Sequence, residues 1–332
     1  MIANQWYAIL ESKEIKKGKI VGLTRMGEKL VVWRSKQGNV SVMRDRCPHR
    51  GVALTAGKLV GEGIQCPFHG FEYNSSGGCT LVPANGMGFE PPKALQVKTY
   101  PTQEAHGFIY LWWGEHRNEY PPLPWFESIP DTMVYSTLTD HWSNHYSRAI
   151  ENQLDVVHLP FIHHNTIGRG HRTLINGPIA IEENRWIGDH LINVWVYNEV
   201  DRGQKPKKAA ELPKPDRRAF LQFRFGNLWQ NWISDDLRIV IAFAPIDDEN
   251  TMMYIRYYHM MRIPILRQLY GWIGSLANLA IERQDKRVVI TERPHRPDLG
   301  NGEILIPGDN PIVLYRKIRR LLIQESGKNN AP

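Results

Sequence analysis

Two short loops constrain this chain of 332 residues more than any other feature. Cys47-Pro48-His49-Arg50-Gly51 and Cys66-Pro67-Phe68-His69-Gly70 each supply one thiol and one imidazole. Their spacings are C-x-H and C-x₂-H, and residues 50–65 separate His49 from Cys66. This inventory suits a [2Fe–2S] cluster in which two cysteines hold one iron and two histidines the other. Neutral imidazole in place of thiolate leaves such a centre less negative and raises its potential above that of an all-cysteine cluster. The prolines and glycines shape tight turns that pinch a cluster between them. Two Cys and two His also suit structural zinc. Zinc fingers, however, usually order the pairs Cys-Cys then His-His, and here each loop mixes the two. The third cysteine, Cys79, leaves an odd number, too few for a disulfide scaffold. It reads as a small packed residue.

A second constellation runs from Glu151 to His164. The pattern predicts a helix over about 143–159. Asn152, Asp155 and His158 recur every three residues and so share one side of it. Pro160 ends or kinks that helix near His158 or Leu159, which lets His163 swing back toward His158. Two imidazoles and one carboxylate make a facial triad that leaves positions on iron(II) open to O₂. Asp285 is the candidate carboxylate, because Ile281, Asp285, Val288 and Val289 fall on one helical stripe. A carboxylate in an apolar stripe is costly unless it is paired or ligates a metal. Glu282 and Lys286 read as an i,i+4 pair on the wet face. His164 competes with His163, and Glu282 or Glu292 stands next in line should Asp285 not be the ligand.

Around these motifs the pattern is α+β. Strand-like runs at 19–24, 29–33, 40–43 and 107–113, separated by Gly and Asn turns, describe a small antiparallel β domain. A proline-rich stretch over 120–130 marks a boundary, placing one domain at 1–118 and a second at 119–332. Further strands fall at 191–197, 220–225, 237–243 and 252–259. Helices are expected over 265–290 and 311–324, and a long Pro/Lys/Asp-rich loop over 201–218. Net charge is +7 with scattered basic residues, which reads as solvated surface, or as a face for an acidic redox partner, rather than a nucleic-acid footprint. The apolar runs are too short to span a membrane. The first residues do not read as a signal peptide, so a cytoplasmic protein with no membrane partner is expected. Trp229, Trp232, Tyr254, Tyr257 and Tyr258 are strand core or pocket wall. Asn227, Asn231 and His259 can orient polar groups, and Arg169 and Arg172 can meet an anion.

The two Cys-Pro loops resemble the Rieske motif of aromatic-ring-hydroxylating oxygenase large subunits. The opening Asn4-Gln5-Trp6-Tyr7 resembles the start of the single-subunit-type monooxygenases and O-demethylases. Asp155-x-x-His158-x₄-His163 and Gln284-Asp285 resemble that family's iron motif. The resemblance implies a β-rich Rieske domain followed by a helix-grip-like catalytic domain with a curved antiparallel sheet. It implies that Cys47, His49, Cys66 and His69 hold a Rieske [2Fe–2S] cluster, that His158, His163 and Asp285 bind one mononuclear Fe(II), and that Asp155 bridges electron transfer from His69 of a neighbouring subunit in a homotrimer. It further implies O₂-dependent hydroxylation or oxidative demethylation of a small organic substrate. Electrons then come from an NAD(P)H-dependent flavin/iron–sulfur reductase, directly or through a ferredoxin. Ring cis-dihydroxylation and a non-catalytic electron-transfer role are the alternatives.

Overall fold

In the computed structural model, residues 1–168, 173–184, 188–215 and 217–328 are described. Arg169 and Arg172 lie outside them. The chain divides into two compact units, one of Asn4–Glu119 with Pro245–Asp247, the other of Met1–Ala3, Tyr120–Ala244 and Asp248–Pro332.

The first unit carries β1 (Gln5–Glu11), β2 (Lys19–Arg25), β3 (Glu28–Arg34), β4 (Val40–Arg44), β5 (Lys58–Val60), β6 (Gly63–Gln65), β7 (Glu72–Tyr73), β8 (Cys79–Leu81), β9 (Thr99–Tyr100), β10 (Thr102–Ala105) and β11 (Phe108–Trp113). They form sheets of order β1-β11-β10, β2-β3-β4-β9 and β5-β6-β7-β8. Runs of β-branched and aromatic residues explain the central strands. β3, for example, buries Leu30, Val31, Val32 and Trp33 completely. The core gathers Val31, Trp33, Met43, Leu54, Ile64 and Tyr73 around Cys47 and Cys66, with Cys79 half-buried at its edge.

The second unit is built on β12 (Val134–Trp142), β14 (Pro178–Glu183), β15 (Leu191–Val196), β17 (Leu221–Arg224), β18 (Leu228–Ser234), β19 (Leu237–Pro245) and β20 (Thr251–His259). Their order is β12-β20-β19-β18-β17-β15-β14. The short β13 (Leu174–Ile175) and β16 (Glu199–Val200) pair antiparallel as a separate two-stranded sheet. Its helices are α1 (Tyr146–Leu154), α2 (Leu159–Ile162), α3 (Pro264–Val289) and α4 (Asn310–Lys328). α3 lies on β12 and β20, and α4 on β14 and β15, while α1 touches both helices. Two glycines let α3 lie close. A Cβ on Gly271 would stand 2.5 Å from Ser136 Oγ, and one on Gly274 would stand 2.4 Å from the Tyr257 ring.

Three sequence expectations are corrected here. The helix over 143–159 is two helices, because the Asp155 side chain accepts a hydrogen bond from Val157 N at 2.6 Å and caps α1 in extended geometry. Pro160 does not end a helix but occupies the first turn of α2, where its missing N–H is harmless. Glu282 is not on the wet face. It is 4% exposed and accepts from Gln153 Nε2 at 2.8 Å, while Lys286 bonds Asp140. The buried stripe of α3 runs through Ser275, Leu279, Glu282, Asp285 and Val289, with Val288 exposed.

Candidate functional site: two metal-ligand constellations

The two Cys loops close in the same way. Cys47 O accepts from Gly51 N at 2.8 Å and Cys66 O from Gly70 N at 3.1 Å. Cys47 N donates to Val52 O, and Cys66 N to Phe71 O, each at 2.8 Å. Both glycines have φ near +74°, a left-handed turn that a side chain would strain. The cysteines are buried and the histidines stand exposed at the loop tips. The imidazoles of His49 and His69 have centroids 4.7 Å apart, and Phe71 stacks on His49. Burial pushes the Cys66 thiol up, as does its neighbour Cys47. Tyr73 OH lies 3.2 Å from Cys47 Sγ. A ligating thiolate can only accept, so the phenol is then the donor. Two sulfurs inside and two nitrogens outside fit a cluster with one sulfur-bound iron toward the core and one nitrogen-bound iron toward the surface.

In the second unit, α1 is pinned from behind. Arg316 of α4 donates to Glu151 from Nε at 2.7 Å and from Nη2 at 2.8 Å, and to Glu303 from Nη1 at 2.6 Å. Arg148 donates to Glu151 at 3.2 Å and to Glu303 at 2.6 Å. Burial works against the Arg316 guanidinium, but its bonds to Glu151 and Glu303 outweigh this and hold it charged. With α1 fixed, its cap Asp155 puts Oδ2 3.3 Å from His158 Nδ1, though poorly aligned for a hydrogen bond.

His158 and His163 flank the short α2, with ring centroids 5.3 Å apart. His163 Nε2 lies 2.9 Å, and His158 Nε2 3.5 Å, from Asp285 Oδ1. One ligand atom from each of the three falls within 4.8 Å of the others. Asp285 is 3% exposed and His163 1%. Burial opposes the His163 imidazolium, yet the bond to Asp285 and that carboxylate's charge raise its pKa overall. His164 turns away, with Nδ1 bonding Phe161 O at 2.9 Å. A buried carboxylate facing two imidazole nitrogens is a donor set that suits a divalent metal, and the residues fit a facial triad.

Several neighbours named from the sequence take roles that the pattern does not assign to them. Gln284 Oε1 lies 2.8 Å from His163 Nδ1, as an acceptor that fixes which nitrogen is free. Its adjacency to Asp285 was the available signal. Glu282 is pushed well above the ordinary carboxylate range by burial and then by Asp285. Asn227 and His259 are taken up by backbone bonds to Phe243 O and Met261 N. Trp229, Tyr254 and Tyr258 are buried, and Trp232 has the Arg218 and Arg238 guanidinium groups over its ring. A cleft of about 330 Å³ is lined by Val157, Pro160, Phe161, Leu174, Ile175 and Ile306 among others, and another of about 370 Å³ by Ile162, His164, Gln284, Arg283 and Arg287 among others.

Comparison with known proteins is consistent across the chain. Residues 5–101 match the Rieske [2Fe-2S] domain, and residues 142–325 match the vanillate O-demethylase oxygenase C-terminal domain. The 3-chlorobenzoate-3,4-dioxygenase oxygenase subunit of Comamonas testosteroni is 29% identical over 282 residues, 83% of this chain and 60% of that protein. The oxidoreductase NdmD of Pseudomonas putida is 39% identical over 155 residues, 46% of this chain and 25% of that protein. The chain thus spans from a quarter to three fifths of these relatives. Dicamba monooxygenase bound to dicamba shares the fold with a TM-score of 0.71 at 19% identity, over 98% of this chain and 99% of that one. The oxygenase in complex with ferredoxin of carbazole 1,9a-dioxygenase also has a TM-score of 0.71 at 19% identity, over 95% and 88%.

Proposed function

The chain belongs to the Rieske oxygenases, and on that premise we propose that it is an oxygenase component that hydroxylates or oxidatively demethylates a small, ring-containing organic substrate with O₂. The observation that carries this reading is the convergence of His158, His163 and Asp285 downstream of the Cys47 and Cys66 loops. Residues 1–118 form the cluster domain and 119–332 the oxygenase domain. In support, the two matched regions end at 101 and begin at 142.

Cys47, His49, Cys66 and His69 hold the [2Fe–2S] cluster, and His158, His163 and Asp285 hold one Fe(II). When bound, iron at such a triad supplies open coordination positions for O₂ and takes electrons from the cluster. The chain's own residues orient and protect that site. Gln284 and Asp155 back the two imidazoles from their Nδ1 sides, and the Arg316–Glu151 pair keeps the cap at Asp155 in place. The cleft against Val157, Pro160 and Phe161 is large and apolar enough for a small ring. Asp155 relays electrons to His158 from His69 of a neighbouring copy in a homotrimer. The donor is an NAD(P)H-dependent flavin/iron–sulfur reductase, acting directly or through a ferredoxin, as in the carbazole system's oxygenase–ferredoxin complex. The likeness to the 3-chlorobenzoate dioxygenase favours cis-dihydroxylation as the second reading, which product analysis separates.

The test couples the purified holoenzyme to a surrogate reductase and screens substrates for O₂ uptake matched to product. Asp285→Ala is expected to keep the cluster's visible spectrum, lose the mononuclear iron and make no product. Normal turnover by that variant refutes the triad, and a colourless, sulfide-free protein refutes the reading as a whole.

A further inference from the structure

The outward face of α3, opposite its sheet-facing stripe, is apolar and uncovered. Ile263, Leu266, Leu269, Trp272, Ile273 and Leu276 are each at least 40% exposed, and Trp272 reaches 55%. A soluble protein seldom leaves a run of large side chains along one helix in water. The composition around the run is one-sided. Residues 250–281 contain no Asp or Glu. Exposed cations flank the run at both ends, Arg262 before it and Arg283 and Arg287 after it. At the N-terminal end the β18–β19 turn carries an acidic pair, and Asp236 O there accepts from Met260 N. There Asp235 pairs with Arg218 and Arg238. At the other end Asp140 is 8% exposed and pairs with Lys286 at 3.2 Å and with Arg283 at 3.8 Å, while the Arg283 side chain stays 61% exposed.

We infer that this face of α3 docks the protein flat on an anionic lipid bilayer. The apolar row enters the headgroup boundary, and Arg262, Arg283 and Arg287 meet lipid phosphates. Trp and Leu/Ile on one face with arginines at its margins is the composition of an interfacial helix rather than a spanning one. Over residues 263–276 the row is about 20 Å long at 1.5 Å per residue. The charge pattern disfavours pairing of this face with the same face of a second copy; a head-to-tail contact, which joins two different faces, is separated by the subunit-number measurement. Antiparallel pairing through this face sets Arg262 of one copy against Arg283 and Arg287 of the other, and parallel pairing sets each arginine against itself, so either way like charges meet. An anionic surface has no such conflict. The absence of a spanning helix among the described residues does not bear on this, because an interfacial helix needs none. The inference stands apart from the oxygenase reading, since it uses no metal ligand.

The test is flotation of the cluster-loaded full chain with phosphatidylcholine vesicles, with and without phosphatidylglycerol. The protein is expected to float with the phosphatidylglycerol vesicles and to be released by high salt. Leu269→Glu and Ile273→Glu, both at exposed positions, each weaken partitioning by roughly tenfold or more. Arg262→Gln weakens it by roughly fivefold. All three keep the cluster's visible spectrum. No flotation, or flotation that Leu269→Glu leaves intact, overturns the inference. So does a change in subunit number on Leu269→Glu, measured by light scattering without lipid, because the face would then lie between copies. Failure here leaves the oxygenase test untouched, and a dead oxygenase leaves this result standing.

Discussion

Replacing Arg316 by Met tests whether the metal segment depends on the charge cluster behind it. Arg316 is 3% exposed and Glu151 4%. The substitution removes two of the three hydrogen bonds from guanidinium groups to Glu151, leaving only Arg148 at 3.2 Å. A buried carboxylate stripped of its main partner costs about 3–5 kcal/mol. For a unit of this size that lowers the melting temperature by roughly 6–20 °C. Glu151→Gln combined with Arg316→Met removes both charges and recovers most of the loss, because replacing a whole buried pair is often near neutral. The effect should be confined to the second unit. Far-UV circular dichroism follows its melting, while visible circular dichroism follows the cluster in the first. Because Glu151 lies one turn before the cap at Asp155, the single variant should also bind less iron per cluster. A shift under about 2 °C, or a double variant less stable than the single, would show that the network does not hold α1.

Three further outcomes follow from named contacts. His145, fully buried at the start of α1, has its pKa pushed down to about 2, chiefly by burial and then by Arg319. A lowered histidine pKa means stability is full above about pH 6.5 and declines below it, by roughly 2 kcal/mol at pH 5. His145→Asn keeps a capping side chain and should flatten the urea-melt stability curve between pH 6.5 and 5, whereas an equally steep decline rules this histidine out. Gln284→Leu should weaken iron binding about 10–100-fold while the cluster spectrum stays unchanged, as read by competition with a chelator. Tyr73→Phe should lower the cluster's midpoint potential in a redox titration without bleaching it, since hydrogen bonds to the sulfurs help set the potential; an unchanged potential would mean that the phenol does not bond the ligated sulfur.

How much of this was legible beforehand differs by the kind of signal. The strands that alternate or run apolar, such as β3 and β19, fall within a residue or two of where the pattern puts them, because burial of their side chains is what makes them strands. β1 and β12 were not singled out. β12 is mostly half-buried and mixes Ser, Thr and Asp with aromatics, so its place comes from pairing with β20 along its whole length. The two Cys loops were legible as turns because each cysteine and histidine lie close in sequence and the glycines mark where the chain reverses. The segment around His158 was legible as chemistry but not as structure. A three-residue recurrence looks like one helix, yet the same Asp155 that supplies the recurrence ends α1 with its own side chain.

Glu282 shows the remaining limit. From sequence a Glu four residues before a Lys reads as a solvent pair. Which side of α3 is dry, however, depends on where Gly271 and Gly274 let it touch β20, and that is tertiary information. Once α3 is seated, Glu282 and Asp285 share the dry side three residues apart. Two ionised carboxylates there would repel each other without water to screen them. Burial, and then Asp285, push the Glu282 carboxyl well above the ordinary carboxylate range, and it accepts from Gln153 of α1, while Asp285 is the carboxyl that faces His158 and His163. Glu282→Gln should therefore be nearly neutral for iron content, whereas Asp285→Asn should abolish it. Equal loss in both variants, measured as iron per cluster, would mean that Glu282 carries charge in the folded protein and belongs among the ligands.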